Sequence, residues 1–344
     1  MTRLVESCAA RVEAGLSVTR QEALALLAEA EADPWPLLHA ADRVRRRFRG
    51  RTVHLCSITA VKLGRCGEDC RWCAQSARWA TGIEARGLST TDQLVREAEA
   101  AASNPIGHFG LVSSGAQVSD RELDTLCEAA SRIRQRTGLA VCASFGALTA
   151  TRARCLVEAG FVRYNHNLET SARHFPKVCS THTWDDRART ARAAQEAGME
   201  LCCGGLLGIG ETDEDRVDLA MAVRDLGAHV VPLNFLHPIP GTPLQDAAPL
   251  APMKILSIVA LFRLVLPDRI IKLAGGRQRN LRDLQSLMFL AGADSCMVGN
   301  YLTTAGRPAE EDLAMIRDLG LEPARAVPAS PAGAGASEDG DRDA

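Results

Sequence analysis

From about residue 50 onward the chain alternates short, β-rich apolar runs with longer segments that are polar on one face and rich in Ala and Leu on the other. That alternation is the signature of repeated βα units and argues against an all-helical bundle or a β-sandwich. Eight runs carry it, at 53–61, 108–114, 140–146, 161–168, 200–209, 229–236, 269–275 and 293–299. Segments 91–103, 120–136, 183–197, 214–226 and 281–291 read as amphipathic helices between them. Eight units predict an α/β fold, a (β/α)8 TIM-type barrel. Gly138, Gly160, Gly198, Gly227, Gly292 and Gly320 each follow a helical pattern where a left-handed cap is expected.

Residues 1–50 read as an N-terminal helical extension, interrupted at Asp33-Pro34-Trp35-Pro36, and 51–323 as the barrel. Residues 324–344, rich in Ala, Ser, Gly and Asp, form a tail too poor in apolar groups to order itself. The basic run from Arg43 to Arg49 is expected to be a solvated helix face. A net charge of −2 gives no sign of a nucleic-acid surface. No apolar run approaches the roughly 20 residues that span a bilayer, and the start lacks a basic-then-apolar export pattern, so a cytoplasmic setting is expected. There the 12 cysteines stay reduced or bind metal. Cys8, Cys127 and Cys155 sit beside Ala and Leu in helical patterns and read as packing residues.

Directly after the first run comes Cys66-Gly67-Glu68-Asp69-Cys70-Arg71-Trp72-Cys73, three thiols at a C-x-x-x-C-x-x-C spacing. Structural zinc closes its tetrahedron with a fourth Cys or His and favours C-x-x-C pairs. Bacterial ferredoxin loops use C-x-x-C-x-x-C with a remote fourth ligand. Three thiolates suit a 4Fe-4S cubane with one iron left open, and in a barrel a loop after a strand lies at the catalytic mouth. With an aromatic residue just before the last cysteine, the loop resembles that of the radical S-adenosylmethionine (SAM) superfamily. The resemblance implies a cluster on Cys66, Cys70 and Cys73 whose open iron chelates SAM.

Over roughly residues 40–323 the chain resembles, more narrowly, the biotin synthase family. Tyr164-Asn165-His166-Asn167-Leu168-Glu169-Thr170 matches its Y-N-H-N-L-[DE]-T element, which implies that Asn165, Asn167 and Glu169 bind substrate and the ribose of SAM. Two amides and a carboxylate at a strand end do offer paired donors and acceptors. Gly204-Gly205-Leu206-Leu207-Gly208-Ile209-Gly210-Glu211 matches a superfamily G-x-I-x-G-x-x-E stretch, implying that Gly204, Gly208 and Glu211 belong to the SAM site. Asn234 stands where the family contacts the ureido ring of dethiobiotin, before a G-T-P-L element at Gly241. Arg187 matches an arginine that pairs with the SAM carboxylate, a task that guanidinium geometry suits.

The resemblance further implies an auxiliary iron-sulfur cluster, 2Fe-2S or larger, as sulfur donor. Cys142, Cys202 and Arg277 occupy three of the four family positions, and Gly110 stands where the fourth cysteine is expected. Cys56 and Cys179 are the two candidate replacements, in contexts similar to those of a family form with a larger cluster. Cys56, Cys142 and Cys202 are expected low in the barrel, opposite the Cys66 loop, with Cys203 turned outward and Cys296 filling core. The implied reaction is sulfur insertion between C6 and C9 of dethiobiotin, with a flavodoxin or ferredoxin as electron donor and a homodimer as the assembly. Relatives of the hydrogenase maturase or methylornithine synthase type, or a non-catalytic SAM-binding iron-sulfur protein, are the alternatives.

Overall fold

The computed structural model describes residues 3–324; the expected tail from 325 onward lies outside the described residues. The strands are β1 (Thr52–Lys62), β2 (His108–Ser113), β3 (Ala140–Ser144), β4 (Arg163–Asn165), β5 (Glu200–Cys202), β6 (Gly205–Leu207), β7 (Val230–Phe235), β8 (Ile270–Leu273), β9 (Ser295–Met297) and β10 (Glu322–Pro323). Their order β1-β2-β3-β4-β5-β7-β8-β9 returns to β1 through His54 opposite Ser295, all parallel, so the sheet closes. β5 and β6 are halves of one stave that breaks at Cys203-Gly204, and β6 also pairs with β7. The break brings backbones together: a Cβ on Gly204 would lie 2.0 Å from the Pro232 carbonyl oxygen. The barrel therefore has eight staves, each within one of the eight expected runs or one residue beyond it.

The helices are α1 (Arg3–Glu13), α2 (Arg20–Ala32), α3 (Trp35–Arg49), α4 (Thr91–Ala101), α5 (Asp120–Thr137), α6 (Ala150–Glu158), α7 (Trp184–Glu196), α8 (Asp213–Asp225), α9 (Pro252–Val265), α10 (Arg277–Leu281), α11 (Leu287–Leu290) and α12 (Ala309–Asp318). Capping boxes fix the starts of α5 (Ser119 with Glu122) and α7 (Thr183 with Asp186). All six cap glycines take positive φ, as expected. The stretch 281–291 is not one helix: Arg282, at φ 51, breaks it between α10 and α11. Helix α9 is buried from Ile255 through Val265 because the N-terminal helices α2 and α3 cover the side that turns away from the barrel. A helix apolar all round has no amphipathic period, which is why periodicity alone does not reveal it.

The basic run is a solvated face only in part: Arg46 and Arg47 are exposed, and the other three arginines are not. Arg45 is buried on Asp42 and the Phe289 carbonyl, Arg43 pairs with Glu6 and Glu13, and Arg49 reaches Asp294 at the foot of β9. Arg45 and Arg49 fasten the extension to the barrel floor, and Arg43 ties α3 to α1. Of the packing cysteines, Cys8 is buried and Cys127 half-buried, but Cys155 is exposed. Cys203 and Cys296 are fully buried in the main apolar core. Among the described residues no helix is long and apolar enough to cross a membrane.

Candidate active site

The loop between β1 and α4 turns sharply at Gly64 and Arg65, both at positive φ, and then folds back on itself. Cys66 N–H donates to the Gln75 carbonyl (3.0 Å), Ala77 N–H to the Cys66 carbonyl (2.7 Å) and Cys73 N–H to the Cys70 carbonyl (3.0 Å). The Trp79 indole N–H donates to the Cys70 carbonyl at 3.0 Å. With its backbone so tied, the loop presents Cys66, Cys70 and Cys73 to one cleft of about 280 Å³ at the carboxyl end of the strands. Burial pushes the Cys73 thiol up to about 11, the behaviour of a thiol that wants a cation to stabilise its thiolate. Three thiols that converge on one polar cleft fit a cubane. Among the described residues no fourth cysteine lines the cleft; its far wall carries His166, Glu169 and Arg187.

Glu169 stands at the junction of this cleft with a second one of about 290 Å³, and Trp72, Cys73 and Gln75 line both. Burial raises the Glu169 carboxyl above its ordinary range while Arg187, whose Nη2 donates to Oε1 at 3.1 Å, pulls the other way. Arg187 also donates from Nε to the Asn167 carbonyl and lies with Nη1 3.1 Å from His182 Nε2. Asn167 and Asn234 line the second cleft. Asn167 accepts from Gly204 N–H at 3.2 Å, and Asn234 is held at both ends, accepting from Gly275 N–H (2.9 Å) and donating to the Gly205 carbonyl (3.2 Å). Asn165 faces the barrel interior in register with Cys202; its Oδ1 is buried without a hydrogen-bond partner, an acceptor waiting for a ligand N–H or O–H.

Below these clefts the barrel interior is polar where a barrel core is usually apolar. Cys56 on β1, Cys142 on β3 and Cys202 on β5 are buried, and Lys272 on β8 sets its Nζ 3.6 Å from Cys56 Sγ and 3.5 Å from Cys202 Sγ. Burial opposes charge on Lys272, yet the Cys202 and Cys56 sulfurs hold it above the usual lysine range. Burial pushes the Cys142 thiol up to about 12, against the pull of Arg163. Three thiols, one ammonium and a nearby guanidinium form a donor set that suits an anionic iron-sulfur group. Gly110, between Ile58 and Cys142 in register, has no room for a cysteine without movement: a Cβ there would meet Ile58 Cγ2 at 3.0 Å.

Two expected auxiliary ligands stand elsewhere. Arg277 is buried outside the cysteine group, its Nη1 and Nη2 donating to Asp312 on α12 at 3.0 and 2.7 Å. Past the end of β8, its two Nη atoms find a buried carboxylate partner, while its Nε is buried without one. Cys179 lies against the Cys66 loop, its Sγ 3.8 Å from Cys70 Sγ. Hence Cys56, not Cys179, lies with Cys142 and Cys202, and Lys272, not Arg277, is the basic side chain beside the Cys56 and Cys202 sulfurs. Gly204, Gly208 and Glu211 line neither cleft. Glu211 instead accepts from Gly208 N–H (2.9 Å) and Ile209 N–H (2.7 Å) and pairs with Arg216, so it shapes the turn behind the cleft. Sequence reasoning missed Ser113-Ser114-Gly115, Ser144 and Gly146 around the first cleft and the 301–304 segment over the second. Small residues directly after β2 and β3 were the available signal.

Two family models match the chain: the Radical SAM superfamily over residues 61–223 and the Biotin and Thiamin Synthesis associated domain over 232–322. The biotin synthase of Geobacter sulfurreducens is 47% identical over 322 residues, covering 93% of this chain and 98% of its own. That of Heliobacterium modesticaldum is 45% identical over 321 residues, covering 93% and 98%. Among solved structures, methylornithine synthase superposes with a TM-score of 0.81 at 20% identity, covering 93% of this chain and 98% of its own. The hydrogenase maturase HydG of Carboxydothermus hydrogenoformans gives 0.79 at 19%, covering 93% and 79%. Those two likenesses speak for the barrel alone. The sequence matches speak for more, and this chain belongs to the biotin synthase family of the radical SAM superfamily.

Proposed function

We infer that the protein inserts sulfur between C6 and C9 of dethiobiotin to make biotin. The observation that carries this reading is the stacking of three donor sets along one barrel: the Cys66, Cys70 and Cys73 cleft, the Asn167 and Asn234 cleft joined to it at Glu169, and the Cys56, Cys142, Cys202 and Lys272 group below. When bound, the 4Fe-4S cluster with SAM supplies one-electron cleavage of a carbon-sulfur bond, and the auxiliary iron-sulfur cluster supplies the sulfur atom. The chain's own residues bind and orient. Arg187 and Glu169, paired at 3.1 Å, form a half-buried charged clamp for the amino-acid and ribose parts of SAM. Asn234, immobilised through both amide atoms, and Asn167 fix a planar ureido ring in the second cleft. Gly110 in place of cysteine and Cys56 with Lys272 in its stead support an auxiliary site whose ligands differ from a three-cysteine, one-arginine set.

The reading includes a flavodoxin or ferredoxin as electron donor, a homodimer and a cytoplasmic setting, all resting on family resemblance. The test is anaerobic reconstitution with iron and sulfide, followed by dethiobiotin, SAM and a reductant. Biotin should form together with methionine and 5′-deoxyadenosine. 5′-Deoxyadenosine without biotin refutes the assignment. Iron counting separates the maturase-like alternative, which holds about four irons per chain under a single-cluster reading.

A further inference from the structure

Cys179 and His182 belong to neither donor set of the proposed reaction, yet the fold holds them firmly against one of its ligands. The segment between β4 and α7 crosses behind the Cys66 loop and is pinned to it. Arg71 N–H donates to the Val178 carbonyl at 3.0 Å, Asp69 N–H donates to Thr181 Oγ1 at 3.1 Å, and the Asp69 carboxylate accepts from Ser180 N–H (2.9 Å) and Thr181 N–H (3.2 Å). This places the ligand atoms of Cys70, Cys179 and His182 all within 4.8 Å of one another. Two thiolates on one tetrahedral ion with metal–sulfur bonds of about 2.3 Å stand about 3.8 Å apart. The Cys70 and Cys179 sulfurs are 3.8 Å apart. A thiolate and an imidazole on the same ion stand about 3.5 Å apart; the two ring nitrogens of His182 lie 3.4 and 3.8 Å from Cys179 Sγ.

The site also has a door of its own. A cavity of about 420 Å³, outside the cleft that holds the three loop cysteines, is lined by Cys179, His182, Phe175 and Trp184. His182 reaches both spaces, and Cys179 only the outer one. Glu68 stands at His182 Nδ1, where a carboxylate orients a ligating imidazole or completes the coordination; Arg187 Nη1, 3.1 Å from Nε2, turns aside when that nitrogen takes the ion.

We propose that in the cluster-free protein Cys70, Cys179 and His182 bind one thiophilic divalent metal ion, reached from the outer cavity. The two thiol protons pass to solvent on binding, and the remaining position falls to water or to Glu68. Cys70 cannot serve this ion and the cubane at once, so the ion must leave or be handed inward before the cluster closes. That consequence rests on the cluster reading of the loop; the binding itself does not.

The test titrates cluster-free protein with Co²⁺, anaerobically and under reductant. One equivalent should raise the charge-transfer and ligand-field bands of tetrahedral, thiolate-bound cobalt. Cys179→Ala, Cys179→Ser and His182→Gln should each weaken that binding at least tenfold, whereas Cys66→Ala should leave it in place. Serine keeps a polar group for Asp69 but is a poor ligand for a soft ion, so agreement between the two Cys179 variants excludes a folding defect. Preloaded Zn²⁺ should slow iron-sulfide uptake in the wild type and not in Cys179→Ala. Absent bands, unchanged bands in Cys179→Ala, or equal loss in Cys66→Ala overturn the proposal. None of these readouts depends on biotin formation.

Discussion

Lys272, to which the sequence reading gives no role, lies among the buried cysteines where Arg277 is expected, and substitutions at the two positions test the difference. Arg277 and Asp312 are both fully buried and share two hydrogen bonds, so Arg277→Met strands a carboxylate in the interior. Removing one partner of a buried pair costs about 3–5 kcal/mol. Here Arg307 lies 3.5 Å from the same carboxylate and is partly exposed, so some charge compensation survives. The expected loss is therefore near about 3 kcal/mol. Arg277→Met combined with Asp312→Leu removes the stranded charge, and Arg307 keeps Glu311 at 2.7 Å, so most of the loss should return. Urea unfolding of cluster-free protein gives the stabilities, and iron and sulfide counting after reconstitution gives the ligation. Both variants should load the wild-type amount of iron, whereas Lys272→Ala should lose the second cluster and keep the first. An Arg277→Met protein as stable as wild type that loads only the iron of one cluster would falsify the assignment.

Other consequences are quickly checked. Gly110→Ala should destabilise by no more than about 1 kcal/mol in thermal unfolding, because the new Cβ meets Ile58 Cγ2 at 3.0 Å but Ile58 lines the second cleft and can shift into it. Glu169→Gln should weaken SAM binding by roughly tenfold to a hundredfold in equilibrium titration, since Arg187 loses a charged acceptor worth about 1.5–3 kcal/mol. Stability should fall with acid through His108. Burial, helped by Arg163 and Lys272, depresses its folded pKa to about 3 from the ordinary 6.5. Between those values the unfolded chain binds a proton that the folded chain refuses, so folding weakens as pH drops below 6.5, by about 2 kcal/mol at pH 5. His108→Gln should flatten that slope; an unchanged slope refutes the assignment.

The barrel was legible because its strands fall in bounded runs and α5, α6, α7, α8, α11 and α12 each end at one of the six expected glycines, so period and punctuation agree. The three-cysteine loop was legible because its ligands are close in sequence. What escaped was everything decided by direction. Arg277 follows a strand that ends at Leu273, and beyond a strand end side-chain alternation no longer says which way a residue points. Lys272 lies inside that strand, a lone ammonium among Ile270, Ile271 and Leu273, and buried charge in an apolar strand is itself a signal that a partner of opposite sign waits inside the barrel. Cys179 misleads for the same reason as Arg277: it sits past β4 on a connecting segment, and the hydrogen bonds that Asp69 accepts from Ser180 and Thr181, with Arg71 N–H on the Val178 carbonyl, decide that it meets Cys70 and not Cys142. Glu211 shows the converse limit, because its motif position was readable while its partners, two backbone amides and Arg216, make it a support for the turn. Sequence spacing therefore locates ligands that share a loop or a strand. Ligands gathered from several elements need strand direction as well, and a buried charge in an apolar run is the cue that can be read in advance.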